Sequence, residues 1–196
     1  MHKYQIHAAC GLFLGVIIGI TAQYYLNNRY DPLYDYKTSE VHVHSDFILH
    51  IDGMTYDFTD DKYQSIPGLV RHQDVHLHDN EDHIIHRHAE DITLSDFLSS
   101  IGFTLTEGCI TTDSSTEFCN DNTNQLSLYV NNLQKDSIAD YISQEADRIL
   151  LYYGSADSNA IADLQAQITD ESCIYSGTCP ERGIAPPESC GLTCEI

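Results

Sequence analysis

The chain has 196 residues, with 9 Lys and Arg against 30 Asp and Glu, a formal net charge of -21 and a pI near 4.5. A surface that acidic repels phosphate backbones, whose binding depends on Lys and Arg neutralising them, so no nucleic-acid partner is expected. The 42% hydrophobic content is that of a folded chain, and the length suits one domain plus an appendage while excluding a catalytic barrel of about 250 residues.

The appendage comes first. Residues 8–26 read AACGLFLGVIIGITAQYYL, 19 residues without a charge, close to the roughly 20 that a helix needs to cross a bilayer. Tyr24 and Tyr25 would lie at the headgroup level, and Lys3 on the short N-terminal side favours a cytoplasmic N-terminus, a bias that Arg29 weakens. The expectation is an uncleaved single-pass anchor over residues 1–26. The leading alternative is a signal peptide cut after Ile20-Thr21-Ala22, and a buried core helix ranks behind it. The anchor and the signal peptide both export everything beyond residue 27. Residues 27–40 (NNRYDPLYDYKTSE) are polar and read as a tether.

An exported domain is expected over residues 41–170. In residues 41–51, Val41, Val43, Phe47, Leu49 and Ile51 share one face, while His42, His44, Asp46, His50 and Asp52 share the other with Ile48. That alternation predicts a half-buried strand. Asp52-Gly53 supplies a hairpin turn into residues 54–58. Residues 75–89 predict a second hairpin, turning at DNED. Thr93 is an N-cap, Asp96 completes a capping box and Gly102 stops the helix, whose apolar face carries Leu94, Phe97, Leu98 and Ile101. Further strands are expected at 126–130 and 149–153. Residues 137–146 fit helix or strand, and 158–168 a helix with Ile161, Leu164 and Ile168 on one side. The fold class is α+β, mainly antiparallel strands and hairpins with two amphipathic helices.

Six cysteines remain once Cys10 is set aside: Cys109, Cys119, Cys173, Cys179, Cys190 and Cys194. An even number suits a disulfide framework in an oxidising compartment, and the absence of any C-x-x-C pair argues against a thiol oxidoreductase or a zinc ribbon. Cys109 and Cys119 flank a polar loop and are expected to pair. The last four are expected to pair among themselves, stapling a Cys- and Pro-rich tail over residues 171–196.

The histidines carry the functional signal. Nine of the 11 lie between His42 and His88, where even scattering would place about three, and imidazole clusters are the commonest protein route to a bound metal. His42-Val-His44, His76-Leu-His78 and His86-Arg-His88 are three H-x-H triplets on expected strands. Residues i and i+2 of a strand share a face about 6.6 Å apart, so each pair can lean onto one ion. Register decides whether the second and third triplets meet. An odd loop over residues 79–83 sets His76 against His86, whereas a two-residue turn at Asn80-Glu81 sends His86 to the opposite face. The odd loop is favoured because it leaves Val75 and Leu77 on a common apolar side. The metal ligands expected are His76, His78, His86 and His88, then His42 and His44. His50, His72 and His83 lack an H-x-H partner.

Imidazole with carboxylate suits zinc or copper(II), while Cu(I) prefers the Cys and Met that this chain barely offers in reduced form. His42-Val-His44-Ser-Asp46-Phe47 resembles the HxHxDH motif of metallo-β-lactamase-type hydrolases, but Phe47 replaces its last His. His76-Leu-His78 with Glu81 resembles a cupin ligand motif, lacking the glycines. The succession HVHSDF, IDGMTYDF, HLHD, IHRHA, TLSDF, YVNN, DRILLYYG and CPERG…PPESC resembles a prokaryotic group of membrane-anchored, His-rich exported proteins. That resemblance runs from residue 41 to the C-terminus, implies one exported domain, and brings no activity with it. The function expected is transition-metal binding for capture or delivery at the cell surface. The rivals are a small metal-dependent hydrolase or oxidase and an adhesion module with incidental His. Glu81 and Glu90 are candidate bases near the His window, but such candidates are few and no catalytic residue is assigned.

Overall fold

Asp52 and Gly53 both take left-handed backbone, with φ of 50° and 82°, which is the geometry of a tight two-residue hairpin turn. They join β1 (Val43–Ile51) to β2 (Met54–Thr55), pairing Ile51 with Met54. The computed structural model describes residues 41–66, 69–155 and 157–185. These all belong to one compact unit, Ser39–Ile196. The expected anchor and tether lie outside the described residues. Among the described residues no helix is long and apolar enough to cross a membrane.

The fold is α+β with mostly antiparallel pairing. After β1 and β2 come β3 (Gln64–Ser65), β4 (Val75–His78), β5 (Ile84–Arg87), α1 (Leu94–Ser100), β6 (Thr104–Leu105), β7 (Cys109–Thr111), β8 (Glu117–Cys119), β9 (Asn124–Val130), β10 (Leu133–Lys135) and β11 (Arg148–Ser155). Two helices follow, α2 (Ser158–Gln167) and the single turn α3 (Ser172–Tyr175). The main sheet runs β10-β9-β11-β1-β5-β4-β3, with β2 paired to β1, and β6-β7-β8 form a small second sheet. Two pairings are parallel, β1 with β11 and β3 with β4.

One face of the main sheet carries the core. Phe47, Leu49 and Ile51 of β1, Val75 and Leu77 of β4, and Ile149 and Leu151 of β11 pack with Leu94, Phe97 and Leu98 of α1. Phe47 meets Phe97 edge-on at 5.4 Å, and Phe58 meets Phe103 at 5.9 Å, so Phe and Tyr fill the core without Trp. Helix α1 starts as expected: Thr93 accepts from the Asp96 N–H, and the Asp96 carboxylate accepts from the Thr93 N–H. Gly102 stops it at φ 89°.

The opposite face is covered as well, which corrects the expectation of a half-buried first strand. Over β11, Ile161, Leu164 and Ile168 bury Leu150 and Tyr152. Over β1, α3 is held down by Asp46. This buried carboxylate accepts hydrogen bonds from Thr169 Oγ1, from the Glu171 N–H at 2.8 Å, and from the Ser172 N–H and Oγ at 3.2 and 2.6 Å. Residues 137–146 form neither helix nor strand.

Cys109 and Cys119 face each other across β7 and β8 and are disulfide-bonded. Cys173 and Cys179 form a second disulfide just after α3 begins. Cys10, Cys190 and Cys194 lie outside the described residues.

Candidate metal centre

The site is built by register. Beta strands β4 and β5 are joined by residues 79–83, an odd loop, and His76 lies directly opposite His86. Asp79 and Asn80 take left-handed backbone to make this turn, which short Asx side chains tolerate. On the other side of β5, His44 lies opposite His86. Facing residues of paired strands share a side of the sheet, so His44, His86 and His76 form a row across β1, β5 and β4. The i+2 rule then adds His42, His88 and His78 to the same face. All six histidines expected as ligands lie on that face.

Ring separations describe the layer. His78 lies 3.8 Å from His86, His44 4.6 Å from both His86 and His42, and His42 4.7 Å from His88. His76 lies 5.0 Å from His88 and 5.5 Å from His78. His44, His76, His78, His86 and His88 are buried, and His42 is exposed at the rim. One nitrogen each from His42, His44 and His86 fall within 4.8 Å of one another. Ligands of a tetrahedral zinc ion lie about 3.3 Å apart, given Zn–N bonds of about 2.05 Å, so small ring rotations would bring these three onto one ion.

Hydrogen bonds fix which nitrogen faces the layer. The His76 Nδ1 sits 2.9 Å from the His72 carbonyl, which can only accept, so Nδ1 carries the proton and Nε2 the lone pair. The His78 Nδ1–H donates likewise to the Asp79 carboxylate at 2.8 Å. Ser176 Oγ donates to the Glu145 carboxylate and therefore accepts from the His44 Nδ1–H at 2.7 Å. Three histidines thus have the arrangement that metal-ligating imidazoles use, with an outer acceptor orienting the ring and raising its basicity. Sequence spacing gives no sign of Ser176 or Glu145, which are brought in by α3 and the loop before β11.

Electrostatics favour the ligating form. Burial pushes the His86 pKa well below its ordinary value, and the neighbouring His78, His44, His76 and His88 push it the same way. Neutral imidazole is the form that binds metal. Tyr175 of α3 stands edge-on to His86 at 5.3 Å and lies 5.9 Å from His44. Burial, then the nearby Glu81 carboxylate, raises its pKa and keeps the phenol protonated.

The remaining histidines of the window stand elsewhere. His50 bonds Thr55 Oγ1 on the β1–β2 hairpin, and His72 supports His76 through its carbonyl. His83 sits among carboxylates, 2.8 Å from Asp82 and 3.1 Å from Glu171, and its pKa rises to about 9, chiefly through Asp82. Comparison with family models, with curated proteins and with solved structures gives no match. The reading of the site therefore rests on its own chemistry.

Proposed function

We propose that this chain is a membrane-anchored, exported protein that binds zinc or copper(II) through the imidazoles of β1, β4 and β5, for capture or delivery of the ion at the cell surface. The observation that carries the reading is the convergence of six histidines on one sheet face, with Nε2 of His44, His76 and His78 left as the ligating atom. A buried layer of imidazoles has no packing advantage over Leu or Val, whereas a metal repays the burial of so many polar rings. Two disulfides support an oxidising compartment, and residues 8–26 support the anchor.

A three-histidine site with an open position is also what a metal-dependent hydrolase or oxidase uses. Tyr175 against His44 and His86 is the observation that favours this second reading. Metal analysis of the native, membrane-extracted chain tests the first: bound zinc or copper is expected, and metal-free protein that takes up neither ion contradicts it. The N-terminal sequence of the same preparation tests the anchor, which a start at Gln23 would overturn.

A further inference from the structure

The segment that covers the imidazole face is closed into a ring. Cys173 and Cys179 are disulfide-bonded, and Tyr175 and Ser176 lie between them in the chain. Tyr175 stands 5.3 Å from His86 and 5.9 Å from His44, and Ser176 Oγ accepts from the His44 Nδ1–H at 2.7 Å. The near end of this cover has its own fastening, the hydrogen bonds that Asp46 accepts from Thr169, Glu171 and Ser172. The far end is tied back to the start of α3 by the disulfide, beside which the Thr178 N–H and Oγ reach the Cys173 carbonyl at 2.9 and 3.3 Å. A single helical turn is not stable by itself in water, so the covalent closure keeps Tyr175 and Ser176 in place.

A second observation concerns the sulfur itself. Nη1 of Arg182 lies 3.6 Å from Cys173 Sγ. Asp170 aims the guanidinium there, accepting from Nη2 on its carboxylate and from Nη1 on its carbonyl, each at 2.7 Å. A cation against a sulfur stabilises the thiolate that reduction produces, which makes a disulfide easier to open. Cys173 is only half-buried, so a reductant can reach it. The other disulfide differs: Cys109 and Cys119 join β7 to β8 in the small sheet, which carries none of the six histidines.

Resting on the metal-binding reading above, we propose that the Cys173–Cys179 disulfide is a redox latch on the metal centre, opened by a dithiol reductant of the exported compartment. Closed, it holds Tyr175 and Ser176 against His44 and His86. Open, it frees them, and the ion is bound less tightly. A thiolate of the reductant attacks one sulfur, the Cys173–Cys179 bond breaks, and the displaced sulfur takes up a proton. The second thiol of the reductant then displaces the mixed disulfide. The latch gains two electrons and two protons, and the dithiol becomes a disulfide. His44 thereby loses the hydroxyl that orients its ring, together with the Glu145 carboxylate behind that hydroxyl. Loss of such an outer partner typically lowers metal affinity about 10–100-fold.

Zinc, which thiols do not reduce, is the probe. The oxidised full chain, C173S/C179S and C109S/C119S are titrated with Zn(II) in a calorimeter at pH 7.5. A fall in affinity of about 10-fold or more is expected for C173S/C179S alone. The oxidised wild type is also reduced with a water-soluble phosphine, with and without saturating Zn(II), and the thiols released are alkylated and mapped by mass spectrometry. Because coupling between two sites is reciprocal, zinc is expected to slow the appearance of the Cys173 and Cys179 thiols and to leave those of Cys109 and Cys119 unaffected. R182Q is expected to slow opening of the latch without metal while binding zinc like the wild type. Unchanged affinity in C173S/C179S, or an equal loss in C109S/C119S, overturns the latch and leaves metal binding in place. So does a latch that opens equally fast with and without zinc, a wild-type result that decides the matter even where C173S/C179S fails to fold. No zinc uptake by the wild type overturns the metal-binding reading itself.

Discussion

His78 donates its Nδ1–H to the carboxylate of the adjacent residue Asp79 at 2.8 Å, and this one contact orients a buried ring. The pair sits where β4 ends, and Asp79 makes it in a left-handed conformation, φ 60°. Replacing Asp79 by Asn retains a residue that tolerates this backbone but removes the negative charge behind the ring. Metal affinity is expected to fall about 10-fold, the low end of such effects, with little change in the urea midpoint. Calorimetric titration of D79N measures it; unchanged affinity would show that Asp79 does not support a ligand.

Asp46 ties α3 over the imidazole face through four hydrogen bonds. Asn at this position keeps one acceptor oxygen and sets an NH2 group against backbone and hydroxyl donors. A loss of about 3 kcal/mol is expected for D46N, as for a broken buried charged network. Equilibrium urea unfolding checks it. Faster amide exchange across residues 171–176 should accompany the loss.

The fold was largely legible where sequence and local physics agree. The capping box at Thr93 and Asp96, the Asp52-Gly53 turn and the existence of strand β1 each depend on near neighbours, and each is present. The odd loop at residues 79–83 was legible from the side on which it leaves Val75 and Leu77. What periodicity could not show was long-range. Parallel pairing of β1 with β11 joins residues about a hundred apart, and the two-residue strands β3 and β6 are too short to carry a pattern. The burial of His44 and Asp46 was hidden for the same reason: the cover, α3, comes from the segment read as tail. Ser176 and Glu145 were therefore invisible as supports for His44.

His83 gives a pH signature of its own. Its pKa is about 9 in the fold, raised chiefly by Asp82, with Glu171 and Glu81 adding to it against the opposing effect of burial. A raised histidine pKa means the folded state holds its proton more tightly, so the stabilisation is complete below the unfolded value of about 6.5 and is lost as pH rises through about 9. H83Q should be destabilised against wild type at pH 6 and nearly equal to it at pH 10. Thermal midpoints of both proteins across that range check this, and a gap that widens with pH would contradict it.

His86 works in the opposite sense. Its folded pKa is depressed by burial and by its neighbouring imidazoles, so the unfolded chain binds the proton more readily. Stability of the metal-free protein is present above about pH 6.5 and falls as pH drops below it. Zinc or copper at 100 times its dissociation constant should add about 2.7 kcal/mol at pH 7.5, and this gain should vanish near pH 5 as the ligands protonate. Urea titrations with and without metal at the two pH values test the sign. A gain that persists at pH 5 would point away from imidazole ligands.

The most direct measurement is calorimetric titration of the full chain with Zn(II) and Cu(II) at pH 7.5, for wild type, H76A/H78A and H72A. His76 and His78 face the layer, whereas His72 reaches it through its backbone carbonyl, which alanine keeps, and its ring accepts from the Asp74 N–H at 3.2 Å instead. The account predicts binding by the wild type, near-wild-type binding by H72A and a large loss in H76A/H78A. Absence of binding in the wild type, or equal binding in all three, would contradict it.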